Sequence, residues 1–564
     1  MRDVGCTWTA ARCSAARRSR AWPVTPDTLD LMVTEALAPT HDVVIVGGGH
    51  NALVAAAYLA RAGKSVAVYE RLEHLGGAAV SEEPWAGVAA RLSRYSYLVS
   101  LLPRQIIQDL GLQIDLNRRR YSSYTPDPAD PTQGVLVDNG DAQATAESFA
   151  RVAGDPEEAE RFSAFYDRIS PVAQQLFPTV TAPLKRRSEV RELIGDDGLW
   201  DDLFERPLGQ MIRESLSSDL ARGIALTDGL IGTFATADED SLRQNRCFLY
   251  HIIGGGTGDW DVPVGGMGRV SGELERAARD AGAELHIGTE VSSIAADGTV
   301  QFTRNADAES ARGRLVLSGV GPAVFERLLA AGGAPGTPAE MPERPEGAQV
   351  KVNMLLKRLP KLRDQHVDPQ AAFAGTFHIN ETMTQLDEAH AQAAGGAIPD
   401  PLPAEIYCHS LTDPSILSPE LQAEGVQTLT LFGLHVPDRL VNAETNERVR
   451  AELLAAAQRS LDSVLAEPIA DCLYIAPDGS PCIEARTTLD LERSLGMIGG
   501  DIFHGSLSWP WAEDDEDLET PAARWGVATR LPNMLVCGSG ARRGGAVSGL
   551  GGHNAAHAAL EMLA

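Results

Sequence analysis

Between residues 42 and 71 the chain reads DVVIVGGGHNALVAAAYLARAGKSVAVYER, and no other stretch restricts the fold as strongly. Val43 to Val46 is a short apolar, mostly β-branched run, the pattern of a strand buried in a parallel sheet. Gly47, Gly48 and Gly49 follow, and Ala52 completes the spacing G-x-G-x-x-[G/A]. The small residues from Ala52 to Ala60 predict a helix lying close on the sheet, ended by Gly63. Lys64 to Tyr69 predicts a second strand, closing on Glu70, 21 residues after Gly49. A carboxylate there can accept hydrogen bonds from a ribose hydroxyl while the helix N-terminus holds a pyrophosphate. Strand, glycines, helix, strand and terminal acid in one unit predict an α/β, Rossmann-type dinucleotide-binding domain.

The next residues choose the dinucleotide. ERLEHLGGAAVSEE (Glu70 to Glu83) adds Arg71 and a second glycine pair, Gly76 and Gly77. With these the chain resembles the FAD-dependent superfamily that joins flavin amine oxidases to phytoene desaturases. Four further stretches, Trp85 to Pro103, Val264 to Ile294, Thr487 to Ser508 and Val536 to Leu560, narrow the resemblance. They resemble the phytoene-desaturase-related branch called pyridine nucleotide-disulfide oxidoreductase domain-containing protein 2, over residues 41–564 and most weakly in the middle. The resemblance implies FAD, with the second glycine pair against its phosphates and ribityl chain and Val291 where the backbone meets adenine. It places Gly538 and Gly540 beside the ribityl-phosphate, and a helix opening at Gly549 toward the flavin. It aligns Lys351, in the strand QVKVNMLL, with a lysine that reaches flavin N5 through a water. Ala78 stands where amine oxidases place an arginine, and no cysteine occupies a position suited to a covalent flavin link. FAD is therefore expected to be bound without a covalent bond.

The remaining pattern predicts a discontinuous FAD domain (41–115, 251–325 and 526–564) with an inserted α+β substrate domain (116–250 and 326–525), a helical cap over a sheet. Gly254-Gly255-Gly256-Thr257-Gly258 imitates a phosphate loop, but Asp259-Trp260-Asp261-Val262-Pro263 cannot open a helix behind it, so no second dinucleotide site is expected. Residues 1–40 form an extension: the first 23 hold five arginines and one acid. It reads as an overextended start ahead of Met32, or alternatively as a transit peptide. The corresponding compartments are the cytoplasm and the mitochondrion.

Composition closes off other classes. A formal charge of −28 opposes a general nucleic-acid or anionic-membrane binder. The seven cysteines contain no C-x-x-C pair, which leaves a redox dithiol or a zinc site without support. No uninterrupted apolar run is long enough to span a bilayer. No Ser-His-Asp set, metal-ligand spacing or paired carboxylates stand out. His504 and His553 are the histidines closest to flavin-related motifs, and Arg94, Tyr95 and Tyr97 are candidates for the cavity wall.

The expected activity is an FAD-dependent oxidoreductase that removes a hydride from a largely apolar, isoprenoid- or lipid-like substrate and passes electrons to an acceptor such as oxygen or a quinone. Two alternatives stand beside it. One is a flavin amine oxidase. The other, implied by the resemblance, is an FAD-bearing regulatory protein that acts through a protein partner.

Overall fold

The computed structural model describes residues 40–336 and 344–564; the arginine-rich extension and Met32 lie outside the described residues. The first strand, His41–Val46, runs as the Val43–Val46 pattern predicts, followed by the helix His50–Arg61 and the strand Val66–Tyr69. Val43 pairs in parallel with Leu315 on one side and Val66 on the other, so the strand is central in the sheet, and Val43 to Val46 are buried on both of its faces. The parallel layer runs Met534–Val536, Asp307–Ser318, His41–Val46, Val66–Tyr69 and Glu284–His286. Glu290–Ile294 and Thr299–Arg304 continue it as an antiparallel extension on the first half of Asp307–Ser318. That strand's polar front half, ahead of Gly313, pairs only with Thr299–Arg304.

The last helix, Leu550–Met562, lies against the first, and the contact is backbone to backbone. A Cβ placed on Gly552 would sit 1.8 Å from the Asn51 carbonyl oxygen. The glycine- and alanine-rich end of the chain is thus the second half of a helix pair that covers one face of the parallel sheet.

A second sheet orders Ile483–Arg486, Gln349–Leu356, Gln427–Leu434, Ala404–Tyr407, Thr376–Ile379, Tyr121–Pro126 and Gly134–Asp138. Both segments assigned from sequence to the substrate domain contribute strands to it. The run from Ala146 to Ile169 forms two helices, Ala142–Ala153 and Glu158–Leu176, divided at Gly154, whose left-handed backbone (φ +65°) ends the first. Helix Pro322–Ala331 straddles the expected boundary at 325 and packs on the hairpin of the first sheet, through Phe325 and Leu329. The segment His378 to Pro403 contains the helix Met383–Ala394, and His378 itself belongs to the strand Thr376–Ile379. Among the described residues, no helix is long and apolar enough to cross a membrane.

Candidate functional site

The glycine loop is built largely from backbone. Gly47 takes φ +91°, and the Gly48 N–H donates to Glu70 Oε2 at 2.7 Å. The other Glu70 oxygen accepts from the Leu72 N–H at 2.9 Å. The Gly76 N–H donates to the Gly48 carbonyl at 2.9 Å, tying the second glycine pair to the first. Gly49 is the N-cap of the first helix and supplies no side-chain cap. A Cβ added there would meet no protein atom within 4 Å. Unpaired N–H groups at a helix N-terminus, facing open space, suit a phosphate.

That space belongs to a cavity of about 1250 Å³ between the two sheets and the helical layer. Gly47, Gly48, Gly49, Glu70, Arg71, Gly77, Val291 and Gly538 line it. Four other sequence-selected positions stand behind the wall. Ala52 is wholly buried in the first helix. Gly76 (φ +110°) packs against Ser271, Gly540 against Pro322, and Gly549 caps the last helix against Val54, Leu102 and Ile106. These four shape the site from behind its surface. The GGGTG segment makes a short 3₁₀ turn, and its Thr257 and Gly258, with Asp259 to Asp261, line the same cavity rather than a second one.

Lys351 is 4% exposed and reaches the cavity from the strand Gln349–Leu356. Its ammonium donates to the carbonyls of Ser93 (2.9 Å) and Tyr95 (2.6 Å) and lies 4.6 Å from the centre of the Tyr97 ring. Burial holds its pKa well below the usual lysine value, with Glu484 opposing the fall and Arg94 adding to it. Proton release from this side chain is thereby eased. Tyr95 and Tyr97 line the cavity, whereas Arg94 pairs with Glu82 and Glu484. His504 lines it in a left-handed backbone (φ +62°), and burial lowers its pKa to about 4. His553 does not line it; it packs against Tyr58, His557 and Trp525.

Sequence reasoning missed a buried polar group on the cavity wall formed by the second sheet. His378 and Glu405 are direct cross-strand partners, and Glu381 follows three residues after His378. His378 Nδ1 lies 2.7 Å from Glu381 Oε2. The Tyr407 hydroxyl donates to Glu405 Oε2, and the Thr227 hydroxyl donates to Oε1 at 3.1 Å. Burial, with help from Glu381, pushes the Glu405 carboxyl up to about 7, and burial raises Asp228 to about 6. Burial works against the His378 imidazolium, yet the neighbouring Glu381 carboxylate keeps its pKa raised. The donor atoms of His378, Glu381 and Glu405 all lie within 4.8 Å of one another. These three could hold a metal ion, a grouping that strand register creates and linear spacing does not show. The available signal was a polar residue at an inward position of a strand whose neighbours are all buried, as in TFHI and AEIY.

The cavity wall also has an apolar part. Ala159, Phe162, Tyr166, Ile169 and Ala173, spaced three and four apart on Glu158–Leu176, give it a largely apolar stretch of wall, with Tyr166 near Asp228.

A dinucleotide-type loop opening into one cavity shared with a separate second sheet defines the class, a flavin-type oxidoreductase fold. The model of the NAD(P)-binding Rossmann-like domain matches residues 45–103, the segment that holds the loop and Glu70. The chain belongs to one family with an uncharacterized protein of Mycobacterium tuberculosis, 53% identical over 93% of this chain and 97% of that one. It is also 29% identical to rat pyridine nucleotide-disulfide oxidoreductase domain-containing protein 2, over 93% of this chain and 94% of the relative. A solved putrescine oxidase variant shares the fold, with a TM-score of 0.55, 16% identity, and coverage of 93% of this chain and 99% of that chain.

Proposed function

We propose that the protein binds FAD non-covalently along the loop Gly47–Gly49, Glu70 and Gly77, and uses it to oxidise a largely apolar substrate. The observation that carries this reading is the shared cavity: the phosphate-type loop, Lys351 and the apolar face of Glu158–Leu176 all open into it. The fit is geometric. The empty space before Gly49 is where a pyrophosphate would sit, and the Glu70 carboxylate, fixed by two backbone donors, faces it ready for a ribose. When bound, FAD supplies hydride acceptance, which no side chain of the protein can supply. The protein's part is to orient and desolvate. Lys351, anchored on two carbonyls, offers its remaining N–H to a water or reacting atom, and its depressed pKa lets it release a proton more readily than an ordinary lysine. His504 and His50, both neutral because burial lowers each to about 4, add hydrogen-bonding groups without charge.

A second reading, amine oxidation, is favoured by one observation: the buried Glu405 and the half-buried Asp228, beside Tyr97 and Tyr407, would suit an ammonium. Mass spectrometry of copurifying small molecules, followed by stopped-flow flavin reduction with apolar substrates and matched amines, separates the two. Reduction only by amines would overturn the first reading. A protein without flavin absorbance even after reconstitution would overturn both.

A further inference from the structure

We infer that His378, Glu381 and Glu405 form a divalent-metal site, taking an ion of the zinc or manganese class, on the substrate side of the cavity. The inference rests on the proposed function only in calling that side the substrate side; the donor set stands without it. All three residues are buried, at 4%, 0% and 3% exposure, and they come from two neighbouring strands and the turn after one of them. An imidazole with two carboxylates suits borderline to hard divalent ions. Bonds of roughly 2.0–2.2 Å would draw the donors in slightly from their present spread, and the metal would replace the hydrogen shared by His378 and Glu381.

A separate observation points to a missing partner. Glu381 Oε1 is buried and has no hydrogen-bond partner. A buried carboxylate oxygen left unpaired is costly, and a bound cation removes the cost. Charge balance agrees. The groups facing one another here are Asp228, Glu381, Glu405, His378 and Arg119, with Tyr407 neutral; Asp261, farther along, also faces Arg119 and has Arg118 besides. With all of the first five ionised, the set lacks one positive charge. A divalent ion on a neutral imidazole, with Arg119, balances the three carboxylates. His378 and Glu405 both line the cavity, so a bound ion would present open positions to a substrate oxygen or nitrogen.

The test uses the full-length protein as purified, stripped with EDTA and then exposed to Zn²⁺ or Mn²⁺. Metal retained after desalting is measured by elemental mass spectrometry, beside flavin absorbance and Tm on the same samples. The expected result is about one ion per chain and a saturable rise in Tm. Both should fall at least tenfold in Glu405→Gln and His378→Gln, with flavin content unchanged. If His378→Gln fails to fold, the near-isosteric Glu405→Gln carries the comparison. No retention by a folded wild-type protein, or equal retention by wild type and Glu405→Gln, overturns the site. Flavin without metal removes this inference and spares the proposed function, and metal without flavin does the reverse.

Discussion

The cofactor loop and the polar group around Glu405 line one cavity but are built in opposite ways. The loop comes from 30 consecutive residues, and its contacts are backbone: Gly48 on Glu70, Gly76 on Gly48, and an open helix end at Gly49. The polar group joins Arg119, Thr227, Asp228, His378, Glu381, Glu405 and Tyr407, none of which shares a recognisable motif with the rest. A site made of backbone needs residues that leave the backbone free, so glycine spacing reveals it. A site made of side chains needs only that strands pair in the right register, and register is a property of the sheet.

The largest effect should come from Lys351→Met, which tests whether the side-chain end does chemistry. Met keeps the stem and removes the ammonium. Flavin reduction or reoxidation should slow on the order of tenfold to a thousandfold, the loss of one positioned polar group. The carbonyls of Ser93 and Tyr95 also lose their donor, so stability should drop by about 1–3 kcal/mol while flavin content survives. Unchanged rates in both half-reactions would make Lys351 a purely structural residue.

Glu70→Ala probes the backbone-built end. It strips the acceptor from the Gly48 and Leu72 N–H groups, and FAD affinity should weaken by about 1–3 kcal/mol, read by titrating the apoprotein. Equal affinity in wild type and variant would remove Glu70 from the cofactor site.

Gly48→Ala and Gly49→Ala sharpen the contrast between folding and binding. A Cβ on Gly48 would lie 2.4 Å from Leu75 Cδ2 and 3.0 Å from Glu70 Cβ, so that variant should lose stability even without cofactor. A Cβ on Gly49 meets nothing, and its φ of −68° suits alanine. The Gly49 variant should therefore keep the apoprotein's Tm yet bind FAD about tenfold more weakly, roughly 1.4 kcal/mol. If instead its Tm falls while FAD binding is unaffected, the open space is not the cofactor's.

The smallest effect concerns the loop that carries His504. Burial raises the Asp501 carboxyl to about 7, against the pull of the Phe503 and Gly505 N–H groups. An acid raised in the folded state makes the fold lose stability as pH climbs from the unfolded value toward about 7, since the unfolded chain ionises first. Asp501→Asn should flatten that slope, with a net gain on the order of 1 kcal/mol at pH 8 and none at pH 4. Parallel Tm–pH curves for the two proteins would refute the assignment.

The sequence by itself determined the βαβ unit, its glycines and its acid, because those requirements are local: a buried strand, a close-packed helix and a backbone free to approach a phosphate. The helix opening at Gly549 came from the resemblance, and its close contact with the first helix, Gly552 on Asn51, is visible only in the structure. The tertiary structure alone decided which glycines face the cavity and which support it, as Gly538 and Gly540 show. It alone set the surroundings of Lys351, since Ser93 and Tyr95 lie more than 250 residues away in sequence. It alone joined His378 to Glu405, because two strands 27 residues apart pair at that register and bury both side chains on one face. Short-range geometry is written in residue type and spacing, while long-range juxtaposition depends on how whole sheets pack, which no short segment encodes.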